Sequence, residues 1–116
     1  MNIQIKRIYE PADAADGQRI LVDRLWPRGI KKQDAQLDGW PKALTPSNEL
    51  RKWYHADPEQ RWGEFQLRYQ DELAEQQEAV QALKRLAQQG KVTLLTASKQ
   101  QGHSHADVLK GILEQA

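Results

Sequence analysis

Cysteine is absent from the 116 residues. That excludes disulfides, thiolate catalysis and cysteine-ligated zinc, and it fits a reducing compartment. Also missing is any apolar run long enough to span a bilayer, and Met1 to Arg7 alternate apolar and polar residues instead of building the apolar core of a signal peptide. A soluble, unprocessed, cytoplasmic protein with no membrane partner is the expectation. Charge of one sign is lacking too: 17 Lys and Arg against 16 Asp and Glu leave a formal +1, so a strongly basic nucleic-acid protein is not indicated. Any basic surface must be local. Neither a glycine-rich phosphate loop nor nucleophile-elbow glycines around Ser98 occur, so the P-loop nucleotide triphosphatase and classical serine hydrolase readings fail. No cofactor is implied.

What is present is a short set of apolar runs with loaded ends. Ile3, Ile5 and Ile8 alternate with Gln4, Lys6 and Arg7, the period-2 pattern of an edge strand with one buried face. Residues 10–18, with Pro11, Asp13, Asp16 and Gly17, read as a surface loop long enough to cover or flank a site. Ile20 to Val22 reads as a buried strand, and Lys91 to Ala97 as a second. Between them, 30–45 predicts a short helix and irregular chain, and Ser47 caps a short helix from Asn48 to Tyr54. Asp57, Pro58 and Gln60 carry the signature of a capping box and a longer helix.

The apolar stripe Trp62, Phe65, Tyr69, Leu73, Val80, Leu83 continues to Gln89. A single helix of that extent would be about 48 Å long, more than a body of this size covers. A break is therefore predicted at 75–78, with Gly90 as a left-handed terminator. Ser104 to Asp107 forms a second capping box, opening a last helix. Helical crossovers most simply make the strands parallel. The expected fold class is α/β: residues 1–116 as one small domain, a sheet of about three mainly parallel strands flanked by helices.

Parallel strands send the loops after Val22 and Ala97 to the same edge, where open sheets place their ligands. One loop brings Asp23, Arg24, Trp26 and Arg28; the other brings Lys99, His103 and His105 near a helix N-terminus. Arginine forks pair with phosphate or carboxylate, and Trp26 offers a flat wall for a base or sugar. Arg51 adds a further cation. Asp23 and His103 are candidates to handle a proton, since histidine titrates near physiological pH. The plainer alternative makes Asp23 and Arg24 or Arg28 an internal ion pair and Trp26 a core residue. A metal is not expected, because His103 and His105 two positions apart on a helix point to different sides and no third ligand follows at a recognisable spacing. His55 reads as a corner between helices.

Asp23-Arg24-Leu25-Trp26-Pro27-Arg28-Gly29, then Glu49 to Trp53 with His55, Asp57 and Pro58, then Val92 to Leu95 with Lys99 and the 103–109 segment, together resemble the bacterial domain of unknown function 488 family, with its YeaO-like members. The resemblance spans nearly the whole chain. It implies a cytoplasmic α/β protein and carries Asp23, Arg24, Trp26, Pro27, Arg28, Gly29, Arg51, Trp53 and Lys99 over as matching positions, but it implies no reaction. Departures at Gln100 and Ser104 favour binding over turnover. Two functions follow as expectations: a small anionic or nucleotide-like ligand bound at the strand ends, with or without catalysis, or a module that binds nucleic acid or protein through Arg19 to Lys32 and the Arg51-Lys52-Trp53 corner. The oligomeric state is left open.

Overall fold

In the computed structural model, which describes residues 2–99 and 102–115, the apolar runs become one sheet. β1 (Ile3–Arg7), β2 (Gln18–Leu21) and β3 (Val92–Thr96) lie in the order β1-β3-β2, every pairing parallel. Ile5 and Ile20 both register against Leu94, so β3 is central and all five of its residues are buried. Burial on both sides explains its near-continuous apolar sequence, while β1 alternates as an edge strand should. β2 starts earlier than expected, at Gln18, and Val22 extends the ladder only through its N–H, which donates to the Leu95 carbonyl at 3.0 Å.

Five α-helices, α1 (Lys32–Ala35), α2 (Asn48–His55), α3 (Pro58–Ala74), α4 (Gln77–Gln89) and α5 (His105–Glu114), and two single 3-10 turns complete the described elements. The long stripe breaks at Glu75 and Gln76, inside the predicted interruption, in a body whose longest extent is 37 Å. Ser47 Oγ accepts from the Leu50 N–H at 3.1 Å, and the Asp107 carboxylate accepts from the Ser104 N–H at 3.0 Å, so both serine caps form. The Asp57–Gln60 box does not. Asp57 makes no side-chain cap bond; the tight passage from α2 to α3 instead uses its N–H to donate to the Tyr54 carbonyl. Gly90 is extended at φ 174°, not left-handed, so α4 leads straight into β3. No helix among the described residues is long and apolar enough to cross a membrane.

Alternation along the strands divides their side chains between two layers. Ile3, Ile20, Val22, Val92 and Leu94 pack with Tyr54, Phe65, Tyr69, Leu83 and Leu109 from α2 to α5. Leu21 and Leu95 turn the other way, onto Ile8, Ala35, Trp26 and Trp40. That second face also carries a closed polar network. Asp16, 2% exposed, accepts from Lys6 Nζ at 2.9 Å and Gln4 Nε2 at 3.3 Å and pairs with Arg19. Arg19, expected in a basic surface stretch, is 4% exposed, and its Nε and Nη2 donate to the Ala35 carbonyl at 3.0 and 2.9 Å. Burial opposes the Asp16 charge, but hydrogen bonds from Lys6, the Asp13 amide and Arg19 outweigh it and hold the carboxyl below its ordinary range.

Residues 10–18 serve this network and do not flank the site. They cross from the end of β1 to the start of β2 through a single 3-10 turn, Ala14–Asp16, capped by Asp13. Gly17 then passes Lys91 at φ +65°, so close that a Cβ would sit 2.2 Å from the Lys91 carbonyl oxygen. Only glycine fits there.

Candidate functional site

The parallel register brings the carboxyl ends of β2 and β3 to one edge, and Asp23 ties them together. Its Oδ1 accepts from Thr96 Oγ1 at 2.7 Å and from His105 Nε2 at 2.8 Å, and its Oδ2 accepts from the Ala97 N–H at 2.8 Å. One carboxylate thus joins the ends of two strands to the first residue of α5. Burial works against its charge; the His105 hydrogen bond and positive charge, the Ala97 amide and the Thr96 hydroxyl prevail and hold its carboxyl below the usual value. The basic side chain in contact with it is His105, at 2.8 Å, not Arg24 or Arg28.

The corner after Asp23 is fixed by indoles. Trp40 Nε1 donates to the Asp23 carbonyl at 2.7 Å and Trp26 Nε1 to the Ile30 carbonyl at 2.7 Å, with the two rings edge to face at 5.4 Å. Gly29 turns the chain at φ +77°. Tyr9 Oη donates to the Arg28 carbonyl at 3.1 Å, joining the end of β1 to the corner. Trp26 is therefore both a wall of the site and a member of the second core layer.

A cleft of about 540 Å³ opens at this edge. Asp23, Arg24, Trp26 and Arg28 line it from the corner, Arg51 from α2, Lys99 and His103 from the segment between β3 and α5, and His105 from the start of α5. Gln100, in the same loop, lies outside the described residues. The fold thus gathers all eight candidates of the sequence into one place. Tyr9, Tyr54, His55 and Phe65 line it too and escaped the sequence reading. For His55 a signal existed: it stands four residues after Arg51 on one helix, the spacing that puts side chains on a shared face.

α2 is held against α3 by specific bonds. Glu72 accepts from the Ser47 N–H at 2.8 Å and the Ser47 hydroxyl at 2.6 Å. Tyr69, whose phenol is pushed upward by burial and by the Glu72 and Asp23 charges, stays a neutral donor to the Leu44 carbonyl. Arg24 Nε donates to the Pro46 carbonyl at 3.1 Å, anchoring that side chain beside the start of α2. His103 lies stacked on Trp62 at 5.2 Å and 28°, while the residue itself is exposed.

The electrostatics are one-sided. Ion pairs among the described residues join Lys6 and Arg19 to Asp16, Arg68 to Glu64, and His105 to Asp23. Arg24, Arg28, Arg51 and Lys99 take part in none of them. Burial, then the Arg51 and His105 charges, push the His55 imidazolium below its ordinary range, as expected where positive groups crowd together. Among the described residues no three His, Asp or Glu side chains are grouped so as to hold a metal ion. The cleft lining thus sets four cations against one carboxylate.

Comparison with known proteins agrees with the resemblance read from the sequence. Residues 2–116 match the family model described as the inactive DUF488-N3 subclade. The uncharacterized protein YeaO of Escherichia coli is 49% identical over 94% of this chain and 94% of its own length. Uncharacterized proteins of Mycobacterium bovis and Mycobacterium tuberculosis are each 46% identical over 96% of this chain and 92% of theirs. No solved structure matches.

Proposed function

The chain belongs to the inactive DUF488-N3 subclade, and from that premise we propose that its cleft binds a small anionic or nucleotide-like ligand without transforming it. The observation that carries the proposal is the excess of cations: Arg24, Arg28, Arg51 and Lys99 line the cleft unpaired with any described carboxylate, against a single acid, Asp23. Asp23 is itself spoken for. Both of its oxygens accept hydrogen bonds and its carboxyl is held low, so it is poorly placed to take a proton from a ligand and well placed to orient His105. That argues for holding a ligand over turning it over, as does the subclade's description.

The rival reading, a basic face for nucleic acid, loses its continuity. Arg19 is interior, and Arg24 and Arg28 line the cleft, so the stretch from Arg19 to Lys32 does not form one continuous basic face.

The test is thermal stability and calorimetry with inorganic phosphate, pyrophosphate, ribose 5-phosphate and nucleoside monophosphates, on the native protein and on Arg28→Ala. A ligand selective for the folded state raises the melting temperature. Loss of one charged hydrogen bond of about 1.5–3 kcal/mol should weaken binding by roughly ten-fold or more in Arg28→Ala. No shift with any compound, or equal affinity in the variant, rejects the proposal. Oligonucleotide retention that collapses with rising salt would instead restore the nucleic-acid reading.

A further inference from the structure

We infer that the ligand of this cleft is a nucleoside phosphate whose base stacks on His103, an assignment that rests on the anion-binding reading above. Size comes first. A space of about 540 Å³ lies in the range of sites that enclose whole organic ligands, and a bare phosphate or pyrophosphate would leave most of it to water. The rest of the ligand must therefore suit the other walls. Leu25, 59% exposed, and Tyr9, 44% exposed, are among the few large apolar side chains left open among the described residues, and both line this cleft. Tyr54 and Phe65, packed at 4.4 Å, lie beneath it as buried lining residues. Cations together with aromatic and aliphatic surface call for a molecule that is charged at one end and flat and apolar elsewhere.

His103 is the surface that would receive the flat part. One face of its imidazole is covered by the Trp62 indole at 28°, and Trp62 in turn lies nearly parallel to Phe65, at 20° and 5.8 Å. The outer ring is thus backed by a stack of aromatic groups rooted in the core. Its backbone is also set in place. Gly102 turns the chain at φ +84°, and the next residue, Ser104, is held by Asp107 through both its N–H and its hydroxyl at 3.0 Å. A ring fixed before the ligand arrives loses little freedom on binding. Stacking on such a platform tolerates any base, because every base presents a π face. Arg28 and Lys99 then take the phosphate.

The experiment measures affinities of four nucleoside 5′-monophosphates and of ribose 5-phosphate for the native protein, His103→Ala and His103→Phe, with melting temperature as the check on folding. In the native protein the tightest nucleotide should bind roughly ten-fold or more better than ribose 5-phosphate, the scale of one base stacked on one ring. His103→Ala should erase that advantage and leave ribose 5-phosphate unchanged, while His103→Phe, which keeps a flat ring and removes the titratable nitrogens, should preserve it. If nucleotides and ribose 5-phosphate bind equally and all lose affinity in Arg28→Ala, the stacking assignment falls and the anion site stands. If Phe fails as Ala does, stacking is likewise overturned. Should none of these phosphates bind, both readings fall together.

Discussion

A buried aspartate and a part-buried one flank β2 and solve the same problem in opposite ways. Asp16, before the strand, is answered by two cations, Lys6 and Arg19, which also donate to the Pro11 and Ala35 carbonyls. Asp23, after the strand, is answered by one histidine, one hydroxyl and one amide, while Arg24 and Arg28 beside it form no ion pair with it. Each carboxyl is held low despite burial. The first network is closed upon itself and faces a sheet layer; the second uses few charges and leaves its cationic neighbours to an open cleft. A buried charge that consumes all its partners is scaffold. A charge that organises a rim and leaves the rim's cations without a carboxylate partner among the described residues is the arrangement the proposed ligand site requires.

The sharpest way to break this contrast is to remove Asp16. Asp16→Ala strands Arg19 in the interior with its main partner gone, and breaking a buried pair from one side costs about 3–5 kcal/mol. The urea midpoint should fall accordingly, with no change in ligand affinity for the part that stays folded. Asp23→Asn comes next. An amide keeps the shape but loses the charge that His105 and the Ala97 amide share, which should cost about 1–3 kcal/mol at neutral pH. Its pH dependence has a definite sign. The folded carboxyl titrates below its ordinary value, so its contribution is complete above about 3.9, the unfolded value, and vanishes as pH falls through the lower folded value. Denaturation of native protein and Asp23→Asn from pH 7 to 3 should show the gap between them closing only below about pH 4. A gap that persisted unchanged at the acid end would mean that shape, not charge, secures the strand ends.

How much of this was readable in the chain depends on how far apart the partners lie. Local signals worked where they were local: the serine caps at 47 and 104, the break at 75–76 and the buried run of β3 all follow from neighbours within a few residues. Once parallel strands are assumed, the register that sets Leu21 beside Leu95 carries Asp23 to Ala97, so the loaded edge was legible as well. Arg19 was not. Its partner Asp16 is only three residues away, but the carbonyl that completes its burial, that of Ala35, is brought in by a loop whose path no periodicity announces. Beside Arg24 and Arg28 it read as one more surface cation. Phe65 looked like core, and it is core; its second role as cleft wall, shared with Tyr54, depends on how α2 and α3 lean on each other, a contact to which the Ser47–Glu72 bonds contribute. Gly90 shows the reverse error, a glycine after a helix read as left-handed when the chain had only to extend into the next strand.

The smallest expected effect is also the most discriminating. Arg28 and Lys99 are exposed, line the cleft and join no ion pair among the described residues, so Arg28→Ala and Lys99→Ala should each move stability by no more than about 0.5 kcal/mol. Arg24→Ala should cost slightly more, because its Nε also holds the Pro46 carbonyl. If the cleft cations repel one another in the ligand-free protein, added salt should stabilise the native chain by screening them, and the Arg28→Ala/Lys99→Ala double variant should gain less from the same salt. Urea midpoints at low and high ionic strength measure both quantities. Losses as large as that of Asp16→Ala would show these side chains to be structural after all and would erase the distinction between the two ends of β2. Near-neutral stability together with lost binding is the pattern that only a ligand site produces.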